Sequence, residues 1–245
     1  LYDAAEASTP ADWGAVLPQF ETNPDGSFDF EAPLVKPEKL VDIELGAGFR
    51  SSRFSGSANL YYMDFRDEII KKGGLDRFGQ PITGNAEHTV HTGIELSGRW
   101  QMLPQLALNG NALISQNELK SYRVFENGSA PQVLDGNPIA GFPNTLANLR
   151  LTYAWQGLYA SLLLKYVGKK YTDNFESEEN SVEAYKVVNL SLRYNLQKIG
   201  LRGLTLQASV NNLLNKKYLA HGEGSDFFPA ATRNGFFSVQ YALDQ

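Results

Sequence analysis

Polar and apolar side chains alternate along most of this chain. The alternation is clearest in Asp42–Phe49, Phe54–Tyr62, His91–Trp100, Leu106–Ile114, Ala147–Trp155, Leu158–Tyr166, Val188–Tyr194, Leu204–Val210 and Phe237–Leu243. In Ala147–Trp155, for example, Ala147, Leu149, Leu151, Tyr153 and Trp155 interleave with Asn148, Arg150 and Thr152. A period of two places alternate side chains on opposite faces of a strand, so each segment reads as a strand with one apolar and one polar face. The pattern predicts nine strands and no helix. These are the clearest cores of longer patterned stretches, read as strands of about ten residues or more, which suits a tilted membrane strand of about 9–11 residues. Strands of soluble proteins average about 5–6.

The connections sharpen the picture. Ser51–Arg53, Leu103–Gln105, Gln156–Gly157 and Gln197–Gly203 are short. Between them lie Arg66–Thr89, Gln116–Pro143, Thr172–Glu183 and Leu219–Arg233, which are long. In an antiparallel meander this long–short alternation puts every long loop on one rim. Outer-membrane barrels have that asymmetry, with short periplasmic turns and long extracellular loops. A sandwich with Greek-key crossings has no reason for it. Phe49, Phe54, Trp100, Trp155, Tyr166, Tyr194 and Tyr241 fall near strand ends, several beside the short turns, as the aromatic girdles of a membrane barrel would.

Composition narrows the alternatives. No run of about 18 apolar residues is present, and the longest candidate, Leu158–Val167, is broken by Ser161 and Lys165. A net charge of −5 argues against nucleic acid as a partner. The absence of cysteine removes disulfides, thiolate catalysis and thiolate metal sites. Residues 1–36 hold prolines at 10, 18, 24 and 33 and a turn signal at Asp25–Gly26, and read as one long irregular loop, extracellular in a barrel. Residues 37–245 read as the barrel portion.

Candidate chemistry is sparse. On the polar face Glu44, Glu95, Arg150 and Arg193 stand out as lumen-facing charges, where a wet interior tolerates them. His221, Glu223 and Asp226 share one long loop and are candidate ligand contacts, weighed against a plain solvated loop. His88 and His91 are three apart, so on a strand they face opposite ways and do not chelate one metal together; no third ligand is apparent, and no metal is expected. Asp173, Glu176, Glu178 and Glu179 read as a solvated acidic loop tip, without the regular spacing of a calcium loop. Asn211, Asn212 and Asn215 read as turn and register residues. No nucleophile elbow, phosphate loop or carboxylate pair emerges. The reading is therefore not an enzyme, with no cofactor.

Several segments, taken in order over residues 34–243, resemble the barrel of TonB-dependent outer-membrane receptors: VKPEKLVDIELGAGF, SGSANLYYMDFRDEI, GNAEHTVHTGIELSG, GNPIAGFPNTLANLRLTY, YVGKKYTDN, VNNLLNKKYLAHG and FPAATRNGFFSVQYAL. The third resembles the family's Asn-Ala…Gly-Ile-Glu strand through Asn85, Ala86, Gly93, Ile94 and Glu95. The sixth resembles its Asn-Asn-Leu-Leu-Asn-Lys-x-Tyr strand. The resemblance implies an all-β fold, an antiparallel meander forming the C-terminal nine or so strands of a barrel of about 22. It also implies a Gram-negative outer membrane and its lipid as surroundings. A plug domain and the TonB complex would be partners, reached through a part outside this sequence. The implied ligand is a small-molecule or metal-chelate solute, by default an iron–siderophore complex. In that setting Glu44, Glu95, Arg150 and Arg193 would hold the plug or line the solute path. The end of the chain departs from the family, because Leu243 stands where an aromatic is usual. Two rival readings are a soluble secreted β-sandwich binding carbohydrate and an outer-membrane barrel independent of TonB.

Overall fold

The computed structural model describes residues 20–33, 35–76, 78–124 and 130–242. Most of the loop expected over 1–36, and the position of Leu243, lie outside them. Nine strands form one sheet: β1 (Lys39–Arg50), β2 (Phe54–Leu75), β3 (Pro81–Leu103), β4 (Leu106–Ser121), β5 (Thr145–Trp155), β6 (Leu158–Val167), β7 (Tyr185–Asn195), β8 (Leu204–Asn211) and β9 (Asn234–Tyr241). Each pairs antiparallel with its sequence neighbour, in unbroken order from β1 to β9. All nine strands expected from the alternation are present. The sheet is a meander with no crossover.

The short connections obey local turn chemistry. Gln156 and Gly157 both take positive φ, 46° and 87°. That is the type I′ geometry whose twist matches a hairpin. Leu103 and Leu106 pair directly across Pro104–Gln105. The connection after β7 carries a single 3-10 turn, Leu196–Ile199, capped by the Asn195 side chain and closed by Gly200 at φ 93°.

The long connections differ from the expectation of plain loops. Arg66–Thr89 is mostly the continuation of β2 and β3, which run to 22 and 23 residues. Only its tip, around Asp76–Gln80, is a turn, held by the Asp76 carboxylate accepting the Phe78 and Gln80 amides at 2.8 Å. The period-two signal fades there because Asp67 adopts φ 56° and the ladder slips between Lys71 and Leu75. The other three long connections each fold back on themselves. Arg123–Val124 pairs with Gln132–Val133, Lys170–Tyr171 with Ser181–Val182, and Leu219–Glu223 with Asp226–Pro229. Near the start, Phe20–Thr22 pairs with Phe28–Pro33 around the expected turn, with Gly26 at φ 86°.

Register assigns the faces. On one face Ile43 opposes Tyr62, Leu45 opposes Leu60, Leu60 opposes Ile94, and Ile94 opposes Ile114. The row continues through Leu108–Leu151, Leu151–Leu162 and Leu162–Leu190 to Ala208–Phe237. This apolar face is bare: Leu45 is 71 % exposed. Near the short turns it carries Phe49, Phe54, Trp100, Trp155 and Tyr241, all exposed. Phe49 and Phe54 are in ring contact at 6.3 Å. Tyr166 lies toward the other rim, between Ala147 and Lys186. The eight residue steps from Leu158 to Tyr166 cover about 26 Å at ~3.3 Å per residue. At the ~40° tilt of membrane strands that is roughly 20 Å of height, close to the ~25 Å apolar band of outer-membrane barrels. Among the described residues no second sheet covers this face, as a soluble sandwich would require.

Buried apolar side chains gather elsewhere, in and just below the long connections. One cluster joins Ile70, Ala86, Leu119, Tyr122, Leu134 and Ile139, with Val124 and Phe175 against it. A second joins Val167, Val182, Tyr185 and Val187, with Leu146, Tyr218 and Phe227. The long connections thus pack into a cap on one rim.

Candidate functional site

The polar face is built by the residues between the apolar ones. Glu44 accepts a hydrogen bond from Asn59 Nδ2 at 2.9 Å. Asn59 in turn opposes Glu95 on β3. Two residues along on the same face, Tyr61 lies over Gly93, whose missing side chain makes the room: a Cβ there would meet the Tyr61 hydroxyl at 2.6 Å. Glu44, Asn59, Tyr61 and Glu95 line a cavity of about 360 Å³ that rises to Phe65, His91 and Phe142 under the cap.

At its upper end is a buried group that strand-by-strand reading missed. Glu68 is hydrogen-bonded by Thr89 Oγ1, and His91 Nε2 lies 3.0 Å from Glu68 Oε2. His91 Nδ1 faces Asn117 Oδ1 at 2.8 Å, and Asn117 Nδ2 donates to Ser115 at 3.2 Å. Phe65 and Phe142 meet the imidazole edge-on at 5.4 and 5.2 Å. His88 turns the other way, to Asp64 at 2.9 Å. The two histidines therefore serve separate partners, as strand periodicity requires. Finding the Glu68–His91 pair from sequence would have needed the register of a 22-residue hairpin.

The four lumen candidates do not converge. Glu44 and Glu95 share the cavity just described. Arg150, on β5, donates to Ser161 Oγ at 3.1 Å and opposes Asn109 and Leu163. Arg193, on β7, lines a different cavity of about 540 Å³ with Tyr159, Gln207 and Phe236. All four face the polar side.

The loop candidates are part of the cap. His221 Nε2 lies 2.7 Å from Glu223 Oε1, and the same carboxylate is paired with Lys71 from the tip of β2. His221 stacks on Phe228 at 5.8 Å and remains partly exposed. Asp226 is exposed at the hairpin turn. Glu223 is only 1 % exposed, so this loop is not simply solvated. The next residue, Gly224, is tied through its carbonyl to Thr172 Oγ1 at 2.6 Å.

The acidic loop tip is likewise corrected in part. Asp173 is buried and organises its turn, accepting the Phe175 amide at 2.9 Å and Asn180 Nδ2 at 2.7 Å. Glu178 stays outside and pairs with Lys169 and Tyr171, which hold its carboxyl below the usual range. Lys170, by contrast, is pulled below the usual lysine range by burial and by neighbouring Lys71. Asn212 and Asn215 take φ of 51° and 53°. Asn212 also ties its loop together through Lys216 and the Ala231 carbonyl, as expected of turn residues. No group of three or more His, Asp or Glu suited to a metal ion occurs among the described residues.

A nine-strand meander with a bare apolar face edged by aromatics near the short turns, a polar opposite face and all long loops on one rim is the wall of a membrane β-barrel. Comparison with known proteins agrees. The TonB dependent receptor-like, beta-barrel family matches residues 4–213, and the chain belongs to that family. It is 25 % identical over 197 residues to the ferrioxamine receptor of Yersinia enterocolitica, covering 78 % of this chain and 26 % of that protein. It is 33 % identical over 90 residues to the ferrichrome outer membrane transporter/phage receptor of Escherichia coli K12, covering 35 % of this chain and 12 % of that protein. The chain thus spans about a quarter or less of these relatives. Among solved structures, the siderophore receptor PiuA of Acinetobacter baumannii superposes with a TM-score of 0.68 at 18 % identity, over 89 % of this chain and 30 % of that one. The copper transporter OprC superposes with a TM-score of 0.63 at 18 % identity, over 84 % of this chain and 32 % of that one.

Proposed function

We propose that this chain supplies one wall and several extracellular loops of a TonB-dependent outer-membrane transporter. The transporter imports a scarce solute, by default an iron–siderophore complex, and is not an enzyme. The observation that carries this reading is the bare apolar band, bounded by aromatics and roofed on one rim by the cap, in a chain of this family. Its relatives, a ferrioxamine receptor and a ferrichrome outer membrane transporter/phage receptor, support the solute class. The polar face turns to the barrel interior. There Glu44, Glu95, Arg150 and Arg193 contact a plug domain or line the solute path. On the rim, His221 and Asp226 face the solute, and Glu223 orients His221 from beneath. The strands belong to the C-terminal part of a barrel of about 22, and energy reaches it from the TonB complex.

The test is uptake of radiolabelled ferric ferrioxamine by iron-starved cells with and without the gene, together with the polypeptide's place after fractionation. Loss of uptake and recovery in the outer membrane are expected. Undiminished uptake of ferrioxamine and other hydroxamate chelates would overturn the solute class. Recovery in the soluble fraction would overturn the membrane reading itself.

A further inference from the structure

The four long connections are separate in sequence, yet buried polar groups join them. Asn174, 1 % exposed, sits where three of them meet. Its Nδ2 donates to the Lys71 carbonyl at 2.7 Å, and its Oδ1 accepts the Ala140 amide at 2.9 Å. Its own carbonyl accepts from Asn137 Nδ2 at 2.9 Å. The Gly141 amide donates to the Tyr171 carbonyl at 2.8 Å, closing the same seam. Two residues before Asn174, Thr172 engages the fourth connection. Its Oγ1 donates to the Gly224 carbonyl at 2.6 Å, and its carbonyl accepts the Gly224 amide at 2.9 Å. Glu223, beside that contact, is paired with Lys71 of the first connection. Gly73 lets the first and third connections touch: a Cβ there would lie 2.8 Å from Asp173 Cβ.

We infer that the four connections form one interlocked cap that opens and closes as a single unit, with Asn174 and Thr172 as its joints. The physical reason is the cost of separation. A loop leaving alone would strand buried donors and acceptors on its neighbours, whereas movement of the whole cap keeps every joint made. Loops on a rim are otherwise the elements that open locally and independently. The inference stands on the contacts within the cap and does not depend on which solute is carried.

The test is amide hydrogen exchange, read by mass spectrometry on the native polypeptide folded in detergent. Asn174→Ala removes the two side-chain bonds at the first joint. Interlocking predicts exchange faster by about tenfold or more in 71–76, 137–141, 170–175 and 222–224 together, with β6 and β7 unchanged. Acceleration confined to 172–176 would overturn it. Thr172→Val is the second variant, nearly isosteric and lacking one donor, and serves if the first does not assemble. It should accelerate 170–174 and 222–224 together; a change on one side alone would equally overturn the interlock.

Discussion

The wall and the cap use the same strand chemistry in opposite ways. In the wall, Leu45 is 71 % exposed and its apolar neighbours form a continuous bare face. In the cap, Leu119 is 0 % exposed and packs into a cluster with Ile70, Tyr122 and Ile139. The wall's apolar residues await hydrocarbon from outside the chain. The cap's residues find their apolar surroundings in one another. Polar groups divide the same way. Those of the wall point to one shared interior and are joined mostly to neighbours on adjacent strands, as Asn59 is to Glu44. Those of the cap, such as Asn174, join segments 34 and 103 residues apart. A wall of this kind is organised by register and solvent, and a cap by specific burial.

This comparison can be broken by mutation. The largest effect is expected from Leu119→Ala, which empties a fully enclosed site and should cost about 2–5 kcal/mol. Leu45→Ala, on the lipid face, leaves no enclosed cavity and should cost well under half as much. Urea unfolding of both variants in bilayers would show it, and equal losses would mean that cap and wall are not packed differently. Next comes the direction of the wall's faces. Leu162→Arg puts a charge at mid-band facing lipid and should cost about 2–4 kcal/mol, whereas Leu163→Arg turns inward and should be far milder. Assembly of the two in outer-membrane fractions reads the difference, and a reversal would invert the face assignment.

A smaller effect separates two glycines of one strand. At Gly93 a Cβ would meet the Tyr61 hydroxyl at 2.6 Å and the Ile114 carbonyl at 2.7 Å, but at Gly98 the nearest atom is 3.9 Å away. Gly93→Ala should therefore cost about 1–3 kcal/mol, as overpacking does, and Gly98→Ala should change stability little. Melting of the two variants side by side is the check. The smallest effect is electrostatic. Glu178 is held below the ordinary glutamate value of 4.5 by Lys169 and Tyr171. A depressed carboxyl adds stability above its unfolded value and loses it as pH falls through its folded value. Protection of the Lys170–Tyr171 and Ser181–Val182 amides, taken relative to their intrinsic exchange at each pH, should fall slightly only below about pH 4.5 and stay flat above it, in low salt. Loss of protection beginning near neutral pH would assign the rung's stability to another group.

The nine wall strands were legible because alternation is a local property. Each strand's faces are set by solvent on one side and polar interior on the other, and both leave their mark every second residue. The turn at Gln156–Gly157 and the asparagines at 212 and 215 were legible for a similar reason, since positive φ is a local demand. The reach of β2 and β3 beyond the membrane was not. Asp67 and the slip near Lys71 break the period where pairing continues, and only the partner strand reveals that it continues.

The candidate residues divide along the same line. That Glu44, Glu95, Arg150 and Arg193 share the polar face followed from parity alone. That the two glutamates share a cavity and the two arginines do not depended on the order and register of the strands. Glu68 and His91, Asn174 and its partners, and the burial of Glu223 lay beyond sequence altogether. By itself the sequence determined a meandering wall, its two faces and the rim that carries the long loops, because these follow from period and length. The tertiary structure decided how those loops lock into one cap, because a buried hydrogen bond between distant segments has no local signature and exists only once the chain has brought both partners out of water.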